Sequence, residues 1–328
     1  MSALSAIRIA GLLLVIAASA GAQAQTEPGE SYPQRPVRVM VGYAAGSASD
    51  IVARIVSRKL AEQLGQPVIV ENKSGAAGMI GAEFVARAKP DGYTLLFAVS
   101  SQFTTNPVMY RRVPYTAGNF APISTVVTFP FFLLVGAQQP ITSVQELREQ
   151  WKGNPKSANF SGAGGIHQLA FELFKSSTGN TGEFIPYRGM NEAVNAVIAG
   201  SVLMTIADAA PASTALSGGR VRALAVTSAQ RLAAYPNIPT FAEAGLPGME
   251  MQSWFGLLAP AGTPAEIVKR LQREVHQIVK MKDFEQLANT LHVIPLDSTP
   301  EQFANLIASD LVRWRAVAKE GNIQPVDY

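Results

Sequence analysis

Two segments rich in glycine and other small residues have the composition of anion-binding turns. They are residues 43–50, with the sequence YAAGSASD, and residues 161–167, with the sequence SGAGGIH. Each follows a predicted strand and precedes a predicted helix, so its backbone N–H groups are expected at the positive end of a helix dipole. Such a turn suits a carboxylate or a phosphate. Tight turns that use small residues for packing remain an equally good interpretation.

Few charged side chains accompany these turns. Asp50 falls in the first turn of the helix after the first segment, where an acid stabilises the helix dipole. It could also orient the turn or receive a ligand amine. Arg188 lies in a Pro-Tyr-Arg-Gly turn and suits either an anion or solvent. Asp208 follows an apolar strand, either as a helix cap or as a residue at the mouth of a pocket.

The motifs of common enzyme classes are absent from the sequence. It has no G-x-S-x-G elbow, no P-loop, no H-E-x-x-H and no G-x-G-x-x-G after a strand. Its histidines, at positions 167, 276 and 292, are far apart in the chain. We therefore predict no catalytic residue, no metal and no cofactor. An exported hydrolase that uses Ser161 or Ser47 with His167 stays open as an alternative.

The composition excludes several classes of protein. Of 328 residues, 48% are hydrophobic and 16% are charged, against about 25% charged in a typical soluble protein. A disordered chain has the opposite balance. The lack of cysteine excludes a disulfide-stapled scaffold and a Cys-ligated metal. A net charge of +3, without a basic stripe that carries aromatic residues, argues against a nucleic-acid partner.

The N-terminus has the layout of a secretory signal peptide. Arg8 precedes an apolar stretch at residues 9–18, and residues 22–24 read A-Q-A, an A-x-A cleavage site. This apolar stretch is shorter than the roughly 20 residues that span a bilayer. We predict that residues 1–24 are a signal peptide cleaved after Ala24 and that the mature protein lies in a periplasm. A retained N-terminal anchor is the alternative.

Segments typical of strands and helices alternate along the chain. Strands are predicted at residues 37–41, 68–70, 93–99, 158–160, 184–185, 202–206 and 221–226. Helices are predicted between them, the first capped by Ser49 and ended by Gly65. This alternation predicts an α/β fold with parallel strands and right-handed crossovers.

The last third of the chain changes character. Capping boxes at Thr263 and Thr299 predict two long helices with no strand between them. Since two helices do not form a further α/β unit, we expect them to pack on the first one. The chain then divides into lobe 1, residues 25–125 and 254–328, and lobe 2, residues 126–253. Two crossovers, near residues 125–128 and 249–254, join the lobes.

An ordered series of short motifs resembles a known family. The motifs are PVRV at 36–39, YAAGSASD at 43–50, ENKSGAAG at 71–78, KPDGYTLL at 89–96, PYRG at 186–189, VRALAVT at 221–227, IPTFAEAG at 238–245 and WFGLLAP at 254–260. From about Tyr32 to the C-terminus, the chain is similar to the Bug family of periplasmic substrate-binding proteins, which serve tripartite tricarboxylate transporters. The resemblance implies a type 2 periplasmic binding protein fold, in which two α/β lobes close on a small carboxylate.

The resemblance also implies the positions that bind the ligand. In the family, the loop matching residues 43–50 holds one ligand carboxylate, largely through backbone groups and ordered water. Three further stretches match: the loop after residue 99, the PYRG turn and the acidic or amide position at 208. The implied substrate-binding residues are Tyr43, Ala44, Gly46, Ser47, Asp50, Ser100, Ser101, Thr104, Tyr187, Arg188 and Asp208, with the family's histidine falling on His167 or Gln168. The second glycine-rich turn itself adds the candidates Ser161, Gly164 and Gly165.

One stretch departs from the family pattern. The family has a Ser/Thr pair and then His-Leu before the second-lobe helix, whereas residues 161–168 lack this pair and include Ile166. Met190 replaces a small residue, and we expect Phe103 near the same end of the pocket. A site without these hydroxyls discriminates against ligands that need them. We therefore expect a monocarboxylate, or a carboxylate with an apolar or aromatic body, rather than a citrate-like ligand.

The predicted function is that of a periplasmic solute-binding protein without catalysis. It would capture a small organic carboxylate and deliver it to the subunits of a tripartite tricarboxylate-type membrane transporter. We expect a monomer with no cofactor and no nucleic-acid partner. A periplasmic sensor that signals to a membrane receptor is the alternative, and the sequence does not separate the two.

Overall fold

The computed structural model describes residues 32–153 and 158–327. The predicted signal peptide, residues 1–24, lies outside this part of the chain. Within the two described ranges, no helix is long and apolar enough to cross a membrane. Pro33–Tyr328 forms one compact unit, and the fold described below is that of this unit.

Strands and helices alternate as the sequence predicts. The strands are β1 Val37–Val41, β2 Val68–Asn72, β3 Thr94–Val99, β4 Phe120–Gly136, β5 Phe160–Gly162, β6 Phe184–Pro186, β7 Met204–Asp208, β8 Val221–Val226, β9 Gln252–Pro260 and β10 Ile294–Pro295. The helices are α1 Ala48–Leu64, α2 Met79–Ala86, α3 Ser101–Thr104, α4 Asn106–Met109, α5 Val144–Gly153, α6 Gly165–Thr178, α7 Met190–Ile198, α8 Ala209–Ser217, α9 Ala265–Val279, α10 Lys282–Thr290 and α11 Pro300–Glu320. Short 3₁₀ turns span Ala76–Gly78 and Ala117–Asn119.

These strands form one mixed sheet in the order β2-β1-β3-β9-β4-β7-β5-β6, with β8 and β10 also paired to β4. The outer strands are parallel: β1 pairs with β2 and β3, and β5 pairs with β6 and β7. The central pairs of β4 with β7, β8 and β9, and of β3 with β9, are antiparallel. The predicted α/β class is confirmed, and the antiparallel centre adds a feature that the alternation of elements did not predict.

The long strand β4 connects the two sheet halves. From Phe120 to Pro130 it pairs with β9, and from Phe131 to Gly136 it pairs with β7 and β8. Proline has no N–H to donate to a ladder, and the change of partners falls directly after Pro130. We call β1–β3, β9 and residues 120–130 the first sheet half, and β5–β8 with residues 131–136 the second. The division into two lobes stays a prediction.

Side chains on the two faces of the sheet fill separate apolar clusters. Along the second half of β4, Phe131, Leu133 and Val135 enter one cluster, whereas Phe132 and Leu134 enter another. This period of two places successive side chains on opposite faces of a strand. Both faces of this half are therefore buried, which is typical of a sheet covered by helices on each side.

Helix α11 packs on both sheet halves. Phe303 and Ile307, near its N-terminus, enter the cluster of the first half, whereas Trp314 and Val317 enter a cluster of the second. The packing of the C-terminal helices on the first half is as predicted, and the contact with the second half was not. A helix of 21 residues spans roughly 30 Å, which is long enough to reach both.

The helix ends agree with the sequence in part. The capping box at Thr299 and the left-handed Gly65 cap are confirmed. The prediction of Ser49 as a cap was wrong, since Ser47 caps α1. The Thr263 capping box was also wrong, because its hydroxyl donates to the carbonyl of Pro260 and the helix begins at Ala265. The C-terminal region has three helices rather than two, since α10 was not predicted.

Candidate functional site

A cavity of about 360 Å³ opens near the carboxyl ends of strands β1, β3 and β7. Its lining includes the first residues of α1, α3, α6 and α8, side chains of β4 and β9, and the turn between α10 and β10. Ligands of open α/β sheets bind at this edge, beyond the carboxyl ends of the strands. The cavity is therefore the candidate binding site.

The N-terminus of α1 provides a polar end for the cavity. The Oγ of Ser47 accepts a hydrogen bond from the N–H of Asp50 at 3.3 Å and lies 3.2 Å from the Oγ of Ser49. The first N–H groups of an α-helix have no partner within the helix, and Ala48 and Ser49, which carry two of them, line the cavity. The positive end of a 17-residue helix dipole thus lies at the cavity.

The buried carboxylate of Asp50 holds the turn before α1. Its Oδ2 accepts hydrogen bonds from the N–H of Gly46 at 2.9 Å and from Nε of Arg54 at 3.0 Å. Its Oδ1 accepts from Nδ2 of Asn72 at 2.8 Å, and the same amide donates to the carbonyl of Tyr43. Burial acts to raise the pKa of Asp50, but these donors and the charge of Arg54 outweigh it and lower this pKa. The charged carboxylate is therefore favoured.

Hydroxyl groups form a second wall of the cavity. The Oη of Tyr43 lies 3.0 Å from the Oγ of Ser101 and donates to the carbonyl of Ala77 at 3.3 Å. The Oγ of Ser100 lies 2.7 Å from the Oγ of Ser253 on β9. These contacts fix the turn after β1 against the turn after β3, so both are held in one arrangement around the cavity.

The remaining wall is apolar and comes from the strands that connect the sheet halves. Phe129 of β4 lies with its ring centroid 5.1 Å from that of Phe255 of β9 and 6.3 Å from that of Phe131. Ile166, in the first turn of α6, also lines the cavity. Such a wall suits the hydrocarbon body of a ligand, because apolar surface gains free energy when it leaves water.

Asp208, at the end of β7, faces the cavity and pairs with a buried histidine. Its Oδ2 lies 3.4 Å from Nε2 of His167, whose Nδ1 is hydrogen-bonded to the carbonyl of Ala163. Burial acts to lower the pKa of His167. The charge of Asp208, the contact with it and the Ala163 carbonyl outweigh burial and raise this pKa. The imidazolium form is therefore favoured beside the carboxylate.

No lysine or arginine lines this cavity among the residues that the structure describes. Asp208 and His292 are the acidic residue and the histidine of the lining. An anion in this cavity would consequently meet N–H dipoles and hydroxyl groups rather than cationic side chains.

Of the predicted site residues, the structure brings Tyr43, Ser47, Ser100, Ser101 and Asp208 together at the cavity. The other predicted residues lie outside the lining: Ala44, Gly46, Asp50, Thr104, Ser161, Gly164, Gly165, His167, Tyr187 and Arg188. Asp50 and His167 each contact a residue that lines the cavity, Ser47 and Asp208 respectively. The Thr104 hydroxyl donates to the carbonyl of Ser100, and the Ser161 hydroxyl donates to that of Ala193.

The second small-residue segment, residues 161–167, contributes fewer residues to the cavity lining than the first, residues 43–50. Of residues 161–167, Ile166 lines the cavity. A Cβ added at Gly165 would lie 2.6 Å from Cγ of Met109, so this glycine permits a close approach of two elements. Tyr187 packs against an apolar cluster and Arg188 is exposed. Phe103 and Met190, expected near the pocket, are buried in apolar clusters instead.

Sequence reasoning missed the aromatic wall and the turn at residues 291–293. Phe129, Phe131 and Phe255 flank the predicted crossovers, which is the signal that could have found them. The turn before β10 gives no comparable signal. His292 there takes a φ of +55°, a left-handed conformation that is uncommon outside glycine.

A larger cavity of about 710 Å³ lies beside the first and shares Ala209, His292 and Val293 with it. Its lining comes mainly from residues 228–235 and from α9, α10 and β10. It contains no residue of either glycine-rich turn. The smaller cavity, where helix N-termini converge, therefore remains the candidate site.

The geometry gives no support to a hydrolase. The Ser161 hydroxyl is buried and bonded to a carbonyl, and the Ser47 hydroxyl caps α1. His167 is paired with Asp208 and Ala163 rather than with either serine. Within the described residues, no group of three or more His, Cys, Asp or Glu side chains is placed to hold a metal ion.

Comparison with known proteins identifies relatives over nearly the whole chain. Residues 52–323 match the family described as "Tripartite tricarboxylate transporter family receptor". The chain is similar to Protein BugT of Bordetella pertussis, with 32% identity over 317 residues that cover 95% of this chain and 97% of BugT.

Solved structures are similar to this chain over most of its length as well. The structure of R. palustris Rpa4515 with adipate has a TM-score of 0.78 and 32% identity, and the match covers 90% of this chain and 100% of that one. The periplasmic binding protein BugD has a TM-score of 0.73 and 31% identity, with the same coverage. These neighbours bear out the fold and the resemblance, and they are solute-binding proteins rather than enzymes.

Replacement of Asp50 by Asn tests whether its carboxylate holds the turn before α1. The Asp50→Asn variant loses the charge and one acceptor, so we expect its free energy of unfolding at pH 7 to fall by roughly 1–3 kcal/mol. Because the pKa of Asp50 is lowered, the stabilisation exists above the unfolded pKa of about 3.9 and is lost as pH falls through the folded value. In urea unfolding, the difference in free energy of unfolding between wild type and Asp50→Asn should therefore be smaller at pH 3 than at pH 7.

The matched control is Asp327→Asn, since Asp327 pairs with Arg111 at the exposed surface. Surface pairs contribute about 0–1 kcal/mol. The assigned role would be contradicted if both variants lost the same free energy of unfolding at pH 7. It would also be contradicted if the difference in free energy of unfolding between wild type and Asp50→Asn did not decrease at acid pH.

Proposed function

This chain belongs to the family of tripartite tricarboxylate transporter receptors, and we propose that it captures a small organic carboxylate in the 360 Å³ cavity and delivers it to a membrane transporter. The observation that carries the proposal is the N-terminus of α1 at the cavity, where the Ala48 and Ser49 N–H groups have no partner within the helix. A helix terminus and a few hydroxyls suit a small anion such as a carboxylate without a cationic side chain.

The apolar wall supports a ligand with a hydrocarbon body. A citrate-like acid has polar groups along its whole length, and Phe129, Phe131 and Phe255 offer them no hydrogen bond. Polar groups that lose water without gaining a partner are costly to bury. A monocarboxylate, or an acid with an apolar or aromatic body, therefore suits the cavity better. The adipate bound by R. palustris Rpa4515 is likewise an acid with a hydrocarbon chain.

The predicted signal peptide and the family support a periplasmic location. Residues 1–24 carry the export signal in the sequence, and BugD is a periplasmic binding protein. The mature protein would thus meet its ligand outside the inner membrane. The membrane partner would be a tripartite tricarboxylate transporter, the class of transporter in the family description.

Capture is proposed to proceed by closure of two lobes, residues 25–125 with 254–328 and residues 126–253. The change of partners along β4 after Pro130, and the pairing of β9 with the first sheet half, support crossovers near these boundaries. A ligand that contacts α1 on one side and Asp208 or Ile166 on the other stabilises the closed arrangement by its higher affinity for it.

Calorimetry on the mature chain tests the choice of ligand. We expect benzoate-like or short-chain monocarboxylates to bind at least about tenfold more tightly than citrate, a difference of about 1.4 kcal/mol. Ala210→Trp should abolish binding, because exposed Ala210 lines the cavity and the indole fills it. Ala316→Trp, on the exposed face of α11, is the matched control and should bind as wild type does. Tighter binding of citrate, or unchanged binding by Ala210→Trp, would refute this ligand site.

Uptake measurements test delivery to a transporter. Deletion of the gene from its host should reduce uptake of the radiolabelled acid that calorimetry identifies, because a receptor raises the local supply of ligand at its transporter. The Ala316→Trp chain should restore uptake, and the Ala210→Trp chain should not. Undiminished uptake in the deletion strain, with loss of a transcriptional response to the acid, would favour a sensor instead.

A further inference from the structure

We propose that Asp208, backed by His167, selects acids that carry a hydrogen-bond donor, either a hydroxyl or an ammonium group, at the end remote from their carboxylate. The inference rests on the proposed function and specifies the class of acid within it. A methyl group or a second carboxylate at the remote end should bind more weakly than a donor on a chain of the same length.

Asp208 occupies a helix N-cap position without using its side chain as a cap. It directly precedes α8, with backbone angles φ −57° and ψ 153°, and its carboxylate makes no capping hydrogen bond. Aspartate at an N-cap ordinarily accepts a hydrogen bond from the first turn, which stabilises the helix. The common structural reason for an acid at this position therefore does not apply here.

His167 fixes the carboxylate from behind the cavity. Nε2 of His167 lies 3.4 Å from Oδ2 of Asp208, an ion-pair distance, and among the described residues it makes no hydrogen bond. Nδ1 is bonded to the carbonyl of Ala163, and the ring packs edge-on against Phe131 with centroids 5.9 Å apart. A carbonyl accepts and does not donate, so Nδ1 carries a hydrogen. One proton between Nε2 and Oδ2 then leaves the pair without net charge.

The remaining acceptor capacity of Asp208 is available to the cavity. A carboxylate has about four acceptor positions on its two oxygens, and His167 approaches only one of these oxygens, Oδ2. The side chain of Asp208 is 33% exposed and lines the cavity beside Ile166, Ala209 and Ala210. These neighbours have no side-chain donor. The carboxylate is thus an acceptor in an apolar setting, and its natural partner is a donor on the ligand.

End groups of a ligand differ sharply at such an acceptor. A hydroxyl or an ammonium group donates to it, whereas a methyl group displaces water and leaves the acceptor unpaired, which is costly. A carboxylate at this end brings only acceptors and a negative charge toward Asp208. Its binding is weakened both by the missing hydrogen bond and by charge repulsion. The adipate in R. palustris Rpa4515 has a carboxylate at each end, and this chain should therefore prefer a different end group.

Calorimetry with acids that differ at one end tests the inference. The probes are hexanoate, 6-hydroxyhexanoate, 6-aminohexanoate and adipate, with the matching four-carbon series butyrate, 4-hydroxybutyrate, 4-aminobutyrate and succinate. At one chain length at least, we expect the hydroxy or the amino acid to bind about tenfold or more tightly than both the methyl-ended acid and the diacid. The hydroxy and amino probes distinguish which donor the site takes.

Two variants assign the preference to Asp208. Asp208→Ala removes the acceptor and should bring the donor-ended and methyl-ended acids to within about threefold of each other. Asp208→Asn supplies a donor and should increase the affinity for the diacid. Asp297→Asn is the matched control, because Asp297 pairs with His276 and lies outside the lining of the cavity. It should keep the wild-type order of affinities.

The ratio of affinities is the decisive readout, since a merely structural loss weakens all acids alike. Binding of the monoacids or diacids as tightly as the donor-ended acids would overturn the inference and leave the proposed function standing. An unchanged ratio in Asp208→Ala would overturn it as well. Failure of every acid, including benzoate and citrate, to bind would overturn the proposed function and this inference together.

Discussion

The buried carboxylate of Asp50 is the constraint on which the binding site depends. It joins the N–H of Gly46, the guanidinium of Arg54 and the amide of Asn72, and so connects the turn before α1, the helix itself and strand β2. The turn carries few bulky side chains that could fix it by packing. Without these hydrogen bonds, the turn before α1 would lose its attachment to the helix and to strand β2.

The candidate site is as poor in charged side chains as the chain itself. A site that holds an anion by dipoles and hydroxyls needs no cluster of lysine or arginine, and none lines the described cavity. Affinity then depends on geometry more than on long-range attraction, because dipoles act over short distances. A receptor that must release its ligand to a transporter is well served by such a site, since a buried ion pair is costly to break.

Much of the fold could be predicted from local patterns, because those patterns act within a few residues. The strand at residues 37–41, the Gly65 cap and the Thr299 box are all confirmed. The predicted crossovers point to Phe129 and Phe255 one by one, but their contact needed the tertiary structure, since they meet through antiparallel pairing of β4 with β9, more than 120 residues apart in the chain. The roles of Asp50 and His167 needed their long-range partners to be seen.

The central claim is that this protein carries a small organic acid in the cavity between α1 and Asp208. Native mass spectrometry of the protein purified from periplasmic extract, without added ligand, tests it most directly. The account predicts a bound mass that is released on denaturation and identified as a small carboxylic acid with an apolar body. A bound molecule without a carboxylate, such as a neutral sugar, would contradict the account.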